Sequence, residues 1–290
     1  MSPWILATRP KTFVAGIIPV AVGSALAYQA GSFQWATAVA ALLGALCIQI
    51  GTNFVNDAAD FEKGADTEER LGPPRMAALG LLSPKDLYRG AGAIFLLAAV
   101  FGAYLTYAAG PVILGIGLFS ILFAIAYTAG PFPLAYLGLG DLFVLIFFGL
   151  VAVLGTYFAH TGGITKAAVY LSFAVGFLGV SLIAVNNLRD IPTDVKVGKR
   201  TLAVRMGDFN ARWYYGALLY LPFLFWLPFF FQLNTLPAVL PFLSLPLARA
   251  NASACLRIKD RRQFNPLLAR TAVFQLVFGI LVCAALVLSR

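Results

Sequence analysis

Apolar runs long enough to cross a bilayer recur from one end of the chain to the other, and no other feature constrains its fold as strongly. The stretch from Ala91 to Ala109 carries no charged side chain, and neither does the stretch from Leu276 to Leu288. A hydrocarbon core of about 30 Å calls for roughly 20 apolar residues per helical crossing. Backbone polar groups in lipid must be satisfied within the protein, so the crossing elements are helices or a closed barrel. Barrel strands alternate apolar and polar residues. These runs do not, so the expected fold class is all-α: a polytopic membrane protein. Charged residues make up 11% of the chain, against about 25% in a soluble domain. That shortage excludes a soluble enzyme with a single anchor, and a hydrophobic content of 60% excludes disorder.

Windows of about 19 residues pick out apolar segments near 12–30, 35–54, 90–109, 111–128, 141–159, 167–187, 213–231, 235–250 and 267–288. This predicts nine transmembrane helices in one domain covering residues 1–290. The stretch from Trp213 to Ala248 reads as one very long helix or as two broken between Gln232 and Pro237, and cation placement decides. With nine crossings and the N-terminus inside, only Lys166 and Arg290 of the 21 Lys and Arg fall outside, as the positive-inside rule requires. Merging the doubtful pair would move Arg249, Arg257, Lys259, Arg261, Arg262 and Arg270 to the wrong side. The chain is therefore expected in the plasma membrane, with its N-terminus and its long polar loops in the cytoplasm. Topology accounts for the net charge of +9, so the lipid bilayer is an expected partner and nucleic acid is not. Three cysteines without paired spacing, and a single histidine, His160, in a predicted short loop, give no basis for a disulfide framework, a zinc site or a Ser-His-Asp triad.

Six of the twelve acids crowd between Asp57 and Glu69. If the second span continues to Asp60, then Asn53, Asp57 and Asp60 fall at i, i+4 and i+7 on one face. Unpaired charge on the bundle side of an apolar helix is costly, so these oxygens read as ligands rather than as a solvated helix end. A second cluster, Asn186-Asn187-Leu188-Arg189-Asp190 with Asp194, ends the sixth span. Asn187, Asp190 and Asp194 share a face in a continuous helix, and Pro192 leaves open a break between the two aspartates. Oxygen ligands without imidazole or thiolate suit a hard cation, and Mg²⁺ is held by a few carboxylates together with water and phosphate oxygens. Two such clusters can hold two metal ions facing one diphosphate. Lys63, Arg70, Arg75, Lys199 and Arg200 can neutralise the remaining phosphate charge. No Gly-x-x-x-x-Gly-Lys-Ser/Thr motif is present, so a nucleotide P-loop is not expected.

Asn56-Asp57-Ala58-Ala59-Asp60 followed by Asp66, and Asp190 with Asp194, resemble the two acidic motifs of the UbiA superfamily of intramembrane aromatic prenyltransferases. Further words are similar to the 1,4-dihydroxy-2-naphthoate polyprenyltransferases of menaquinone synthesis: Arg9-Pro10-Lys11-Thr12, Gln49 to Asn53, Lys63 to Pro73, Tyr127 to Pro131, Gly198 to Ala203 and Asn265 to Leu268. They run nearly from end to end. The resemblance implies nine helices around a central cavity capped by two acidic loops. It implies Mg²⁺ held by Asp57, Asp60, Asp66, Asp190 and Asp194, with a polyprenyl diphosphate and 1,4-dihydroxy-2-naphthoate as substrates. An allylic cation is then attacked by the ring, with loss of diphosphate and CO₂. Asp57, Asp60, Asp190, Asp194 and Tyr127 become the expected catalytic residues. Asn53, Asn56, Lys63, Arg70, Asn187, Lys199 and Arg200 become the expected substrate contacts, with Arg9, Lys11 and Arg200 as cations for an acceptor carboxylate. An acceptor such as 4-hydroxybenzoate is the alternative within this chemistry. A carboxylate-based transporter is the alternative outside it, but its site belongs near the membrane midplane, whereas these acids gather at one mouth.

Overall fold

The computed structural model describes residues 2–65, 71–131, 133–233 and 235–290, with Lys11 described in its backbone alone. Among these residues all regular structure is helical. Helix α1 (Pro3–Thr8) and a 3-10 turn (Pro10–Thr12) precede α2 (Phe13–Gln29) and α3 (Trp35–Glu62). Then come α4 (Pro84–Ala109), α5 (Pro111–Ala126), α6 (Gly140–Val144), a π-helical stretch (Leu145–Leu154) and α7 (Gly155–Thr161). Next are α8 (Lys166–Lys196) and α9 (Leu202–Leu233), followed by a 3-10 segment (Leu236–Ser244) that runs into α10 (Leu245–Arg257). A second 3-10 turn (Arg261–Gln263) leads to α11 (Phe264–Leu288).

Apolar helix stands at each predicted stretch. Seven of these helical segments are long and apolar enough to cross a membrane, as a multi-pass membrane protein requires. The other two, α2 and α5, have 17 and 16 residues and are about 25 Å long at 1.5 Å per residue. The stretch from Trp213 to Ala248 is two helical segments, α9 and Leu236–Arg257, in agreement with the cation count. His160, expected in a loop, lies instead in the last turn of α7. There Gln34 N–H donates to its Nδ1 at 3.2 Å and Phe33 stacks on its ring, so this buried histidine ties α7 to the loop before α3.

Helices α3 and α8 overrun their apolar segments, ending at Glu62 and Lys196 rather than near 54 and 187. Their last turns are polar, and tertiary partners satisfy them. The possible break at Pro192 does not occur: α8 is helical through to Lys196. Proline cannot donate to the carbonyl four residues back, and that carbonyl, of Leu188, accepts from Arg261 Nη1 at 2.5 Å instead. Asn187, Asp190 and Asp194 therefore stand on one continuous helix.

The most buried of the spans is α8. Around it α2, α9, α11 and the π stretch pack in a core that includes Tyr215, Trp226, Phe274 and Phe278. Lipid tails are as apolar as leucine, so helix association in a membrane relies on close contact through small residues. Gly149 and Gly176 provide it, since a Cβ on Gly149 would come within 2.8 Å of Gly176 Cα. A second core joins α3 and α4 through Phe54, Leu87 and Phe95, with Met76 and Ala77 of the intervening loop folded onto it. That fold-back brings the chain after the first acidic motif against the motif itself.

Candidate active site at the carboxylate mouth

Asn53, Asp57 and Asp60 are all buried on one face of α3, as their spacing predicts, yet each is occupied differently. Asn53 Nδ2 donates to Thr8 O at 2.9 Å and to Thr12 Oγ1 at 3.3 Å, which docks the N-terminal segment. Asp57 accepts from Met76 N at 3.0 Å and from Ala77 N at 3.2 Å, so both its oxygens hold the fold-back loop. Asp60 accepts from Arg75 Nη2 at 2.7 Å and from Tyr136 OH at 3.0 Å. Asn56 Oδ1 accepts from Thr128 Oγ1 at 2.6 Å. Lys63 donates to Thr128 O, and its ammonium lies 4.8 Å above the Tyr136 ring. Burial lowers the Lys63 pKa from its ordinary value, with Asp60 and Glu62 opposing the shift.

On α8, Asn187 Nδ2 donates to Asp141 Oδ1 at 3.5 Å. Asp190 is gripped by Arg189 through Nε at 2.7 Å and Nη2 at 2.6 Å. Arg189 also reaches Asn265 Oδ1 at 2.9 Å, and Asn265 Nδ2 reaches Leu71 O at 2.8 Å. This chain of contacts links the second motif to the loop after the first. Asp194 has Lys199 Nζ 3.7 Å from Oδ1, while its buried Oδ2 has no hydrogen-bond partner among the described residues.

Two cavities meet at this mouth. A polar one of about 90 Å³ is lined by Arg9, Asn56, Asp60, Tyr127, Asn187 and Lys199, together with Arg75 and Asp141. An apolar one of about 400 Å³ extends from it between α2, α3, α4, α5 and the π stretch. Asn56 and Tyr127 line both. Arg9 adopts the left-handed conformation (φ 53, ψ 67), uncommon for a residue with a side chain, at the step from α1 into the following turn.

The predicted residues are thus only partly brought together. Asn53 borders the apolar cavity while tied to Thr8 and Thr12; Asp57, Asp190 and Asp194 line neither cavity, and Arg200 is exposed, with its backbone N–H on Tyr136 O at 3.0 Å. Asp66 and Arg70 lie outside the described residues, as does the Lys11 side chain. Asp141 was not among the expected site residues. It is buried at the start of the fifth span, accepts from Tyr214 OH at 3.0 Å, and was detectable only as an isolated acid at the edge of an apolar run.

Among the described residues no three His, Cys, Asp or Glu side chains form a ready-made metal cage. The donors at the mouth are nonetheless oxygens alone, and one of them, Asp194 Oδ2, is buried and unclaimed. Such a set fits Mg²⁺, which takes one or two carboxylates and completes its shell with water and substrate phosphates.

Residues 16–277 match the model of the UbiA prenyltransferase family. The 1,4-dihydroxy-2-naphthoate octaprenyltransferase of Haemophilus influenzae is 35% identical, covering 99% of this chain and 96% of its own. Its namesake in Escherichia coli is 36% identical over the same shares. Among solved structures, a UbiA homolog from Archaeoglobus fulgidus bound to DMAPP and Mg²⁺ superposes with a TM-score of 0.63 at 17% identity, covering 97% of this chain and 99% of that one. At that identity the likeness establishes the fold.

Proposed function

The chain belongs to the UbiA prenyltransferase family, and from that premise we propose that it transfers a polyprenyl group from polyprenyl diphosphate to 1,4-dihydroxy-2-naphthoate in menaquinone biosynthesis. The observation that carries the reading is the junction at Asn56 and Tyr127, where a polar cavity rimmed by carboxylates and cations opens onto a large apolar one. The choice of acceptor is supported by the names of the full-length relatives. Residues 1–290 act as one transmembrane domain whose nine apolar stretches cross the plasma membrane, with the N-terminus and the carboxylate mouth in the cytoplasm.

Asp60, Asp190 and Asp194 are the described residues that would hold Mg²⁺, joined by Asp66 of the first acidic motif. Bound there, the metal supplies charge that stabilises the departing diphosphate. Asp57 serves the site by fixing Met76 and Ala77, and through them the loop that carries Arg75. Lys63, Lys199 and Arg75, together with Arg70, supply positive charge for the diphosphate, Asn56 and Asn187 set the polar wall, and Asn53 borders the apolar cavity. The apolar cavity takes the isoprenoid tail and keeps water from the allylic carbon. Tyr127 stands at the junction as a neutral π face and hydroxyl beside that carbon. The C1–O bond breaks with its electron pair going to the diphosphate. A new C–C bond then forms at the carboxylated ring carbon, and CO₂ leaves from that carbon to restore the aromatic ring. Arg9, with Lys11 and Arg200 from the same mouth, receives the acceptor carboxylate before that step.

Diphosphate release by purified protein tests the reading. Release is expected with a polyprenyl diphosphate and the naphthoate in Mg²⁺, and it should be abolished by EDTA. Release with 4-hydroxybenzoate in place of the naphthoate would reassign the acceptor, and release in EDTA would remove the metal.

A further inference from the structure

Pro192 stands between the two carboxylates of the second motif, and its ring nitrogen leaves the Leu188 carbonyl without the usual helical donor. Leu188 is fully buried, so no water can replace that donor cheaply. Arg261 fills the gap from 73 positions along the chain, with Nη1 on Leu188 O at 2.5 Å. Its placement is itself prepared. Asp260 caps the turn Arg261–Gln263 by accepting from Arg262 N at 2.9 Å. Asp208 Oδ1 accepts from Arg261 Nη2 at 2.8 Å, and Asp208 Oδ2 accepts from Arg212 Nε at 2.7 Å. Arg212 in turn donates to Ile258 O at 2.9 Å and lies 5.2 Å over the Phe264 ring. Asp208 follows Gly207, whose φ of 74 places a kink at the start of α9.

We propose that Arg261 is a positioning residue for the second acidic motif: it supplies from outside α8 the hydrogen bond that Pro192 removes, and so keeps Asp190 and Asp194 on one helical face. Without it the buried carbonyl is unsatisfied and the helix gives way at the proline. Asp194 then turns away from Lys199, which lines the polar cavity. Asp208 acts one step further out, by aiming the guanidinium. The inference deepens the proposed prenyl transfer and rests on that reading only for what Asp190 and Asp194 bind.

The test uses the proline as its own control, because P192A returns a backbone N–H to the Leu188 carbonyl and makes Arg261 dispensable. Amide hydrogen exchange over residues 189–197 of the ligand-free, detergent-solubilised protein is one readout, and affinity for geranyl diphosphate in Mg²⁺ is the other. R261A is expected to speed exchange in that segment and to weaken geranyl diphosphate about tenfold or more, in line with losing a hydrogen bond from a charged donor. P192A alone should leave both near wild type, and P192A/R261A should recover both. If R261A yields no folded protein, recovery of folded, diphosphate-binding protein in the double variant supports the inference and continued failure overturns it. It is also overturned if R261A leaves exchange unchanged, or if D208A reproduces the whole loss and P192A relieves none of it. Because exchange is read without substrate, a protein that shows the expected exchange pattern but transfers no prenyl group refutes the proposed function alone.

Discussion

Arg75 Nη2 lies 2.7 Å from Asp60 Oδ2, and both side chains are only 6% exposed. The carboxylate at the centre of the first motif is thus neutralised by a cation from the fold-back loop. Removing one partner of a buried pair leaves an uncompensated charge and costs about 3–5 kcal/mol. Arg75→Ala should lose stability of about that size, and adding Asp60→Asn to the same chain should recover part of it. Denaturant titration of the solubilised protein checks this cycle. An Arg75→Ala protein as stable as wild type would contradict it.

Asp57 and Asp194 should fail in different ways. Asp57→Ala strips the partners from two backbone N–H groups, each costing about 1–3 kcal/mol when buried and unsatisfied. It is expected to lower thermal stability and diphosphate affinity together. Asp194→Asn removes a carboxylate whose Oδ2 no described residue engages, so affinity in Mg²⁺ should fall with little change in melting temperature. Equal stability losses in the two variants would erase the distinction.

Asp141 joins Tyr214 OH and Asn187 Nδ2 beside Tyr127. Asp141→Asn keeps the shape and weakens both contacts, and turnover is expected to fall by about tenfold, the effect of roughly one charge-assisted hydrogen bond. Tyr214→Phe should reproduce most of that loss. Steady-state rates of the two single variants and the double variant decide it. Full activity in Asp141→Asn would take this residue out of the site.

The proposed orientation rests on the cation asymmetry of the sequence, which leaves only Lys166 and Arg290 on the outer side. In intact cells, a cysteine at Gly162 should react with an impermeant maleimide, and one at Val195, which is 58% exposed, should not. Labelling at Val195 would invert the topology.

The helices were legible because lipid imposes a local pattern, an uncharged run of sufficient length, that a short window captures. The shared face of Asn53, Asp57 and Asp60 was legible for the same reason, since helical spacing is local. The partners of those residues were not. Asp57 meets backbone 19 and 20 positions away, and Tyr136 reaches Asp60 from 76. Nothing in the residues around Asp57 distinguishes a metal ligand from a carboxylate that caps a loop. Pro192 shows the same limit from the other side: locally it reads as a break, yet α8 continues through it, and the donor that meets the Leu188 carbonyl, Arg261, is distant in sequence. Asp141 escaped because it has no acidic neighbour in sequence and gains its partners from α8 and α9.

The mass of the product tests the central claim most directly. Purified protein is given Mg²⁺, a polyprenyl diphosphate and 1,4-dihydroxy-2-naphthoate, and the lipid-soluble product is weighed by mass spectrometry. The expected product is a prenylated naphthalenediol lighter than the simple adduct by one CO₂. A product that keeps its carboxylate, or no product from the naphthoate alongside robust prenylation of 4-hydroxybenzoate, would contradict it.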